Sequence, residues 1–499
     1  MTSNGNSRRA AITRLTTNVP GLDEIVGGGI PQYSFNLIAG APGTGKTTLT
    51  QQIMFHLATR ERPALHFTVL GEPTFKMLRY QAQFPFFDID MVNDGRIRFR
   101  NLSEEAIRGD LRGILDVISR EVAEANPSVV VVDSFRTILR TARPDGDRGL
   151  DLSGFLQELA LLLTTWQATT FLVGEYLEGE LEDNPVFTIA DGVIWLHQSV
   201  ERNSVVRKMQ VVKMRGQAIL PGLHTMRLTA EGVQVFPRII PRRPLPPLDR
   251  TSARLSTGIE ELDAMLGGGI PERDAVLVTG PAGSGKTALA SQFIAAGLAL
   301  GEPGVMAVFE EHPAGYLERA KALSQPDLDK SVGDGLLEVL YLRPLDLSVD
   351  EMLLEILEAV ARTGARRLTI DSLSGFELAL APTFREDFRE SLYRMVGALT
   401  GSGVTICMTI EVPQSFTDLL FTPNLVSFLA DDVIIQRYVE VEGRLRKALT
   451  VVKMRGSQHS ADIRFYDVTA QGLVIGDRAV GYSGVLTGAP VPLDSAKGQ

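Results

Sequence analysis

The sequence is short of cysteine, of long apolar runs and of net positive charge, and each shortage removes a class of protein. A single cysteine, Cys407, leaves no partner for an internal disulfide and fits a reducing, cytoplasmic setting. It lies in the apolar run 403–410, which reads as a buried strand holding a packed thiol. No Cys-x-x-Cys occurs, so there is no zinc ribbon. No stretch reaches the roughly 20 apolar residues of a membrane span. Residues 1–9 are polar and lack the apolar centre of a secretory signal. The formal net charge of −10 argues against the basic field that draws nucleic acid. Neither a membrane nor a nucleic-acid partner is expected.

What is present is a globular composition, 44% hydrophobic and 22% charged, on a chain of 499 residues. That length suits two large domains, each able to bury its own core. A long internal repeat supports the division. Gly27-Gly28-Gly29-Ile30-Pro31 recurs as Gly267-Gly268-Gly269-Ile270-Pro271. Gly40 to Thr47 recurs as Gly280 to Thr287, and Lys213-Met214-Arg215-Gly216 as Lys453-Met454-Arg455-Gly456, at an offset of about 240 residues. Between the halves, Pro237 to Pro247 holds five prolines and three arginines, a composition that suits neither a helix nor a central strand. The expected organisation is a first domain over 12–236, a proline-rich linker over 237–250, a second domain over 251–481 and a flexible tail over 482–499.

Within each half, strand-like runs alternate with helical patterns. Residues 35–39, 64–70, 129–132 and 169–174 read as strands in the first, and 275–279, 305–309, 367–370 and 404–409 in the second. Such alternation predicts an α/β fold, a mostly parallel sheet with helices on both faces in each half. Ligands then bind at the carboxyl ends of the strands.

Both Gly40-Ala41-Pro42-Gly43-Thr44-Gly45-Lys46-Thr47 and Gly280-Pro281-Ala282-Gly283-Ser284-Gly285-Lys286-Thr287 fit G-x-x-x-x-G-K-[ST] in full. In such a loop backbone N–H groups cradle phosphate oxygens, which glycine permits by close approach, and the helix that follows adds its positive end. The expected nucleotide contacts are Gly40, Gly43, Thr44, Gly45, Lys46, Thr47 and Thr48, and Gly280, Gly283, Ser284, Gly285, Lys286, Thr287 and Ala288. Lys46 and Lys286 should reach the β- and γ-phosphates of ATP, while Thr47 and Thr287 offer hydroxyls to Mg²⁺. Asp133 after four valines, and Asp371 after Leu368-Thr369-Ile370, are the strand-end carboxylates that complete the Mg²⁺ shell. For the attacking water, Glu310 and Glu311 follow a strand in the second half. In the first half only Glu72 remains, with Gly71 matched to Glu310. Strand alternation places Lys213 and Arg215 on one face, and Lys453 and Arg455 likewise; paired cations there call for an anion.

Together these motifs, in order and twice, resemble the KaiC family of RecA-like ATPases over roughly residues 12–480. The resemblance implies two tandem RecA-like P-loop NTPase domains and a homo-hexamer of stacked rings, with ATP held between neighbouring subunits. It implies that Lys213 and Arg215, and Lys453 and Arg455, reach the γ-phosphate bound by the next subunit. Glu310 and Glu311 match the family's catalytic glutamates. Anchoring on Asp431 and Tyr438-Val439-Glu440, the family's Ser-Thr phosphoacceptor pair falls on Ser427 and Phe428, so one acceptor is kept and a two-site cycle is excluded. The matching pair in the first half is Phe187-Thr188. The resemblance points to a signalling ATPase with a partner protein, and to a serine autokinase in the second domain. Two rivals remain: a nucleic-acid motor, which DNA-stimulated turnover would reveal, and a nucleotide-gated scaffold, whose assembly would survive loss of Glu311.

Overall fold

Four consecutive valines, Val129 to Val132, suit only a strand covered on both faces, and all four are fully buried. The computed structural model describes residues 12–69, 74–104, 110–141, 152–180, 184–201, 204–239, 253–322, 328–342, 348–379, 388–412, 429–487 and 490–492. The chain divides into two compact units between Arg238 and Ile239.

In the first unit the parallel strands are β1 (Phe35–Gly40), β2 (Ala64–Thr68), β3 (Ile97–Asn101), β4 (Val129–Asp133), β5 (Thr169–Glu175) and β6 (Gly192–Glu201). Three antiparallel strands extend the sheet: β7 (Ser204–Met214), β8 (His224–Thr229) and β9 (Gly232–Phe236). The spatial order is β9-β8-β7-β6-β1-β5-β4-β2-β3, so β1 is central. The helices that matter are α1 (Lys46–Leu57), α2 (Thr74–Gln81), α3 (Leu111–Ala125), α4 (Leu152–Thr165) and the short α5 (Pro185–Ile189). Alternation along the strands sorts the core. Leu65, Phe67, Val130 and Val132 pack with Ile114 and Ile118 of α3 and Leu156 and Leu159 of α4. Ala64, Val129 and Val131 point the other way, onto Leu49 and Ile53 of α1.

The second unit repeats the plan with β10 (Ala275–Gly280), β11 (Gly304–Val308), β12 (Leu337–Tyr341), β13 (Arg367–Asp371), β14 (Thr405–Glu411), β15 (Asp432–Val441), β16 (Arg444–Met454), β17 (Arg464–Thr469) and β18 (Gly472–Arg478). Its order is β18-β17-β16-β15-β10-β14-β13-β11-β12, the same arrangement with β10 central. Helices α6 (Lys286–Ala299), α7 (Pro313–Ala322), α8 (Val349–Thr363) and α9 (Phe388–Gly401) cover it. Local chemistry sets the helix ends. Asp110 caps α3 by accepting from Gly113 N–H at 2.9 Å. A reciprocal capping box of Ser348 and Glu351 starts α8, and Gly364 at φ 67° ends it. Cys407 is fully buried on β14, and burial pushes its thiol up to about 12.

The repeated Gly-Gly-Gly-Ile-Pro is a packing motif. A Cβ on Gly29 would lie 2.5 Å from the Leu15 carbonyl oxygen, and one on Gly269 2.6 Å from that of Leu255. One expectation needs correcting. The chain beyond Tyr482 is not all loose: Tyr482 pairs with Pro492, and Val485 is buried with Val439, Val441 and Phe465. Small residues there hid one well-placed apolar anchor. Residues 240–252 of the linker stretch and 493–499 of the tail lie outside the described residues. Among the described residues no helix is long and apolar enough to cross a membrane.

Candidate phosphate-binding sites

Each central strand ends in its glycine loop, and each loop opens a long helix. Gly43 and Gly45 take φ of 75° and 95°, Gly283 and Gly285 φ of 74° and 104°, values that L side chains rarely adopt. Gly45 and Gly285 cap α1 and α6 with no side-chain bond, leaving the first N–H groups of both helices turned to the loop. Lys46 Nζ donates to the Gly40 and Ala41 carbonyls at 3.0 and 2.7 Å, and Lys286 Nζ to those of Gly280 and Pro281 at 2.9 and 2.8 Å. Burial lowers both ammonium pKa values. Glu175 and then Asp133 oppose this at Lys46, and Glu411, Asp371 and Glu310 at Lys286.

In the first unit Thr47 Oγ1 donates to Asp133 Oδ2 at 2.6 Å, joining the end of β4 to the start of α1. Burial raises the Asp133 carboxyl pKa, against the Thr47 hydrogen bond and the Lys46 charge. A cleft of about 370 Å³ opens here, lined by Gly43, Gly45, Lys46, Thr47, Thr48, Asp133 and Glu175 among others. In the second unit Asp371 is held differently, accepting from Thr409 Oγ1 and, at 3.3 Å, from the Tyr316 hydroxyl. Thr287 stands beside Lys286 at the head of α6 without the bond that Thr47 makes. A hydroxyl and a carboxylate form the hard-oxygen donor set that suits Mg²⁺, which takes few protein ligands when phosphates supply the rest. Open N–H groups, a buried lysine and this donor pair together fit a Mg²⁺-nucleotide.

Glu310 accepts from Ser372 Oγ at 2.7 Å, directly after Asp371, while Glu311 is ion-paired with Arg319. Glu72 and Ser427 lie outside the described residues. The register of the outer strand differs from the sequence match by one. Val69 N–H donates to the Asp133 carbonyl and Phe309 N–H to that of Asp371, so Val69 corresponds to Phe309. Two carboxylates escaped the sequence reading. Glu175 pairs in register with Gly40, and Glu411 with Gly280, at the ends of β5 and β14. Arg136 holds the Glu175 carbonyl, and Ser374 Oγ accepts from Glu411 N–H at 3.1 Å. Their recurrence at matching places in both halves was the available signal.

Lys213 and Arg215 do come together, at the far end of the sheet from their own loop. Lys213 Nζ donates to the carbonyls of Ala190 at 2.6 Å and Thr188 at 3.0 Å, at the end of α5. Arg215 Nη1 meets Asp191 Oδ1 at 3.0 Å, and Arg455 meets Asp431 Oδ1 at 3.3 Å. The anion that paired cations demand is thus supplied within the chain. Lys453 Nζ donates to the Ala430 carbonyl at 2.6 Å. Burial, then the neighbouring arginine, lowers both lysine pKa values. Strand alternation breaks just before each motif. The pairing skips Val212 in β7 and Val452 in β16, a bulge at the same step in both units. Asp191 also holds Phe35, the first residue of β1, so five strand steps, about 17 Å, separate it from Gly40.

Comparison with known proteins agrees with this geometry. A family model described as "ATPase: KaiC" matches residues 15–239 and again 255–480. The chain is 28% identical over 502 residues to the circadian clock oscillator protein KaiC of Picosynechococcus sp., covering 98% of this chain and 94% of that protein. It is 28% identical over 491 residues to that of Rippkaea orientalis, at 96% and 92% coverage. For Synechococcus elongatus the values are 26% over 503 residues, at 98% and 94%.

Proposed function

The chain belongs to the KaiC ATPase family, and from that premise we propose that it binds ATP in both domains and hydrolyses it with residues drawn from two neighbouring copies of itself. The observation that carries this is the placement of the Lys-x-Arg pairs. Each sits a strand's length from the phosphate loop of its own unit, and the side chains of Arg215 and Arg455 stay 58% and 59% exposed. They reach a phosphate only if a second copy brings its loop to them, as in a closed head-to-tail ring; a hexamer is the proposed assembly.

In this reading the loop N–H groups with Lys46 or Lys286 grip the phosphates. Thr47 with Asp133, and Thr287 with Asp371, hold Mg²⁺. When bound, Mg²⁺ would offset charge on the β- and γ-oxygens. Glu310, steadied by Ser372, orients and deprotonates the water in the second domain, with Glu311 beside it, and Glu72 serves the first. Lys213 and Arg215, or Lys453 and Arg455, meet the charge that develops on the transferred phosphoryl group. The finer reading of the second domain is transfer of the γ-phosphoryl group to Ser427, which rests on the family resemblance. Ring conformation is the proposed output, read by a partner protein, and the relatives are named circadian clock oscillator proteins.

The inter-subunit reading has a direct test. Chains carrying Lys46→Ala, which silences the first site, are made with either Lys286→Ala or Arg455→Ala added. Each is inactive alone, and mixing them restores part of the second-site turnover, because an intact loop then meets an intact finger. No recovery on mixing, in chains shown to co-assemble, would sink it.

A further inference from the structure

Two aspartates outside both phosphate loops make the same set of bonds in the two units. Asp191 Oδ2 accepts from Phe35 N–H at 3.0 Å while Oδ1 accepts from Arg215 Nη1 at 3.0 Å. Its own backbone closes the arrangement: Asp191 N–H donates to the Phe35 carbonyl at 2.7 Å, and Arg215 N–H to the Asp191 carbonyl at 2.9 Å. In the second unit Asp431 Oδ2 accepts from Ala275 N–H at 3.2 Å and Oδ1 from Arg455 Nη1 at 3.3 Å. Asp431 N–H donates to the Ala275 carbonyl at 2.8 Å, and Arg455 N–H to the Asp431 carbonyl at 3.1 Å. Four bonds recur in kind and in partner position.

Resting on the inter-subunit reading above, we propose that Asp191 and Asp431 are positioning residues for the phosphate-contacting arginines Arg215 and Arg455. The chemistry asks for aspartate. Two donors arrive from opposite sides, a strand N–H and a guanidinium, and only a carboxylate offers an acceptor to each at once. Asparagine keeps one acceptor and turns an NH₂ group toward the other donor. The arginine is otherwise a long, half-exposed side chain with many rotamers, and fixing it before the phosphate arrives lowers the ordering cost at the moment of reaction. The strand it is fixed to is the central one of the sheet, which carries the phosphate loop.

The test is a double-mutant cycle in full-length Lys46→Ala protein, reading second-site phosphate release and, separately, ATP affinity by titration. Arg455→Ala slows turnover about hundredfold. Asp431→Asn slows it about tenfold, with ATP affinity held within about twofold. In the double variant, Asp431→Asn costs nothing beyond Arg455→Ala, because it acts through the arginine. Unchanged turnover in Asp431→Asn overturns the proposal while leaving the finger role intact. Multiplying effects overturn it too, since they mark a general structural role. No effect of Arg455→Ala removes the finger reading and this proposal with it. Should Asp431→Asn not fold, Asp191→Asn with Arg215→Ala in a Lys286→Ala chain gives the same cycle for the first site.

Discussion

Between the helix after the phosphate loop and the outer strands, the first unit is polar where the second is apolar. Gln51, His66, Thr68 and Gln81 are buried there. Gln51 Oε1, both His66 ring nitrogens, Thr68 Oγ1 and Gln81 Oε1 have no hydrogen-bond partner among the described residues. The matching places in the second unit hold Ser291, Met306, Val308 and Ala320. The last three join Ile294, Leu298, Leu317 and Leu337 in one apolar cluster. Met77, against Gln51 in the first unit, is replaced by Tyr316, against Ser291 and Asp371 in the second. Unpaired buried polar atoms cost about 1–3 kcal/mol each unless water reaches them. The strand β2 ends over this weak support, whereas β11, ahead of Glu310 and Glu311, ends over a packed one. One fold thus carries a firmly packed strand end and a loosely packed one at the same place.

The largest expected effect that would break this contrast is on turnover. Glu310→Gln should slow phosphate release from the second site about a thousandfold. Glu72→Gln should slow the first about tenfold, since the strand that leads to its loop packs over unpaired polar groups. Single-turnover assays in Lys46→Ala and Lys286→Ala chains separate the sites; equal losses would erase the contrast.

Acid should separate the units next. Burial pulls His66 down to about 4. Above pH ~6.5 the ring is neutral folded or unfolded, and nothing is lost. As pH falls from there toward 4 the unfolded chain takes the proton first, so stability drops by about 3 kcal/mol across that window. Both tryptophans, Trp166 and Trp195, lie in the first unit and report its unfolding alone. His66→Met, which copies Met306, should flatten the acid slope of that signal, and an unchanged slope would clear His66 of the effect. The smallest change is expected for Tyr316→Phe. It loses a hydroxyl bonded to Ser291 and Asp371, worth about 1 kcal/mol, read as faster hydrogen exchange in β11 with no change in β2.

Much of this was legible in the sequence. The repeat, the glycine loops, Asp133 and Asp371 could be read because phosphate binding fixes residue type and spacing together. Lys213 and Arg215 were legible as a pair, but Asp191, which pairs with Arg215, was not. It meets Phe35 through a sheet contact 156 residues away, which no local pattern carries. Glu175 and Glu411 were missed for the same reason, being placed by register with Gly40 and Gly280. The match of Gly71 to Glu310 departs by one residue from the offset of 240 that the sheet keeps at Val69 and Phe309, because the insertion falls after these residues. The first unit carries one residue more between Val69 and Met77 than the second between Phe309 and Tyr316.

The bulges at Val212 and Val452 bear on the history of the chain. Glycine loops and strand-end aspartates are required of each half by Mg²⁺-nucleotide binding of this kind, so their repetition says little about descent. A bulge is an extra residue that costs a ladder bond, and a sheet tolerates it at many steps. Finding it at one and the same step in both halves, directly before each motif lysine, points to an insertion already present in a single ancestral domain. The differences at Gln51, His66, Thr68 and Gln81 are then later divergence, acquired after the domain had doubled.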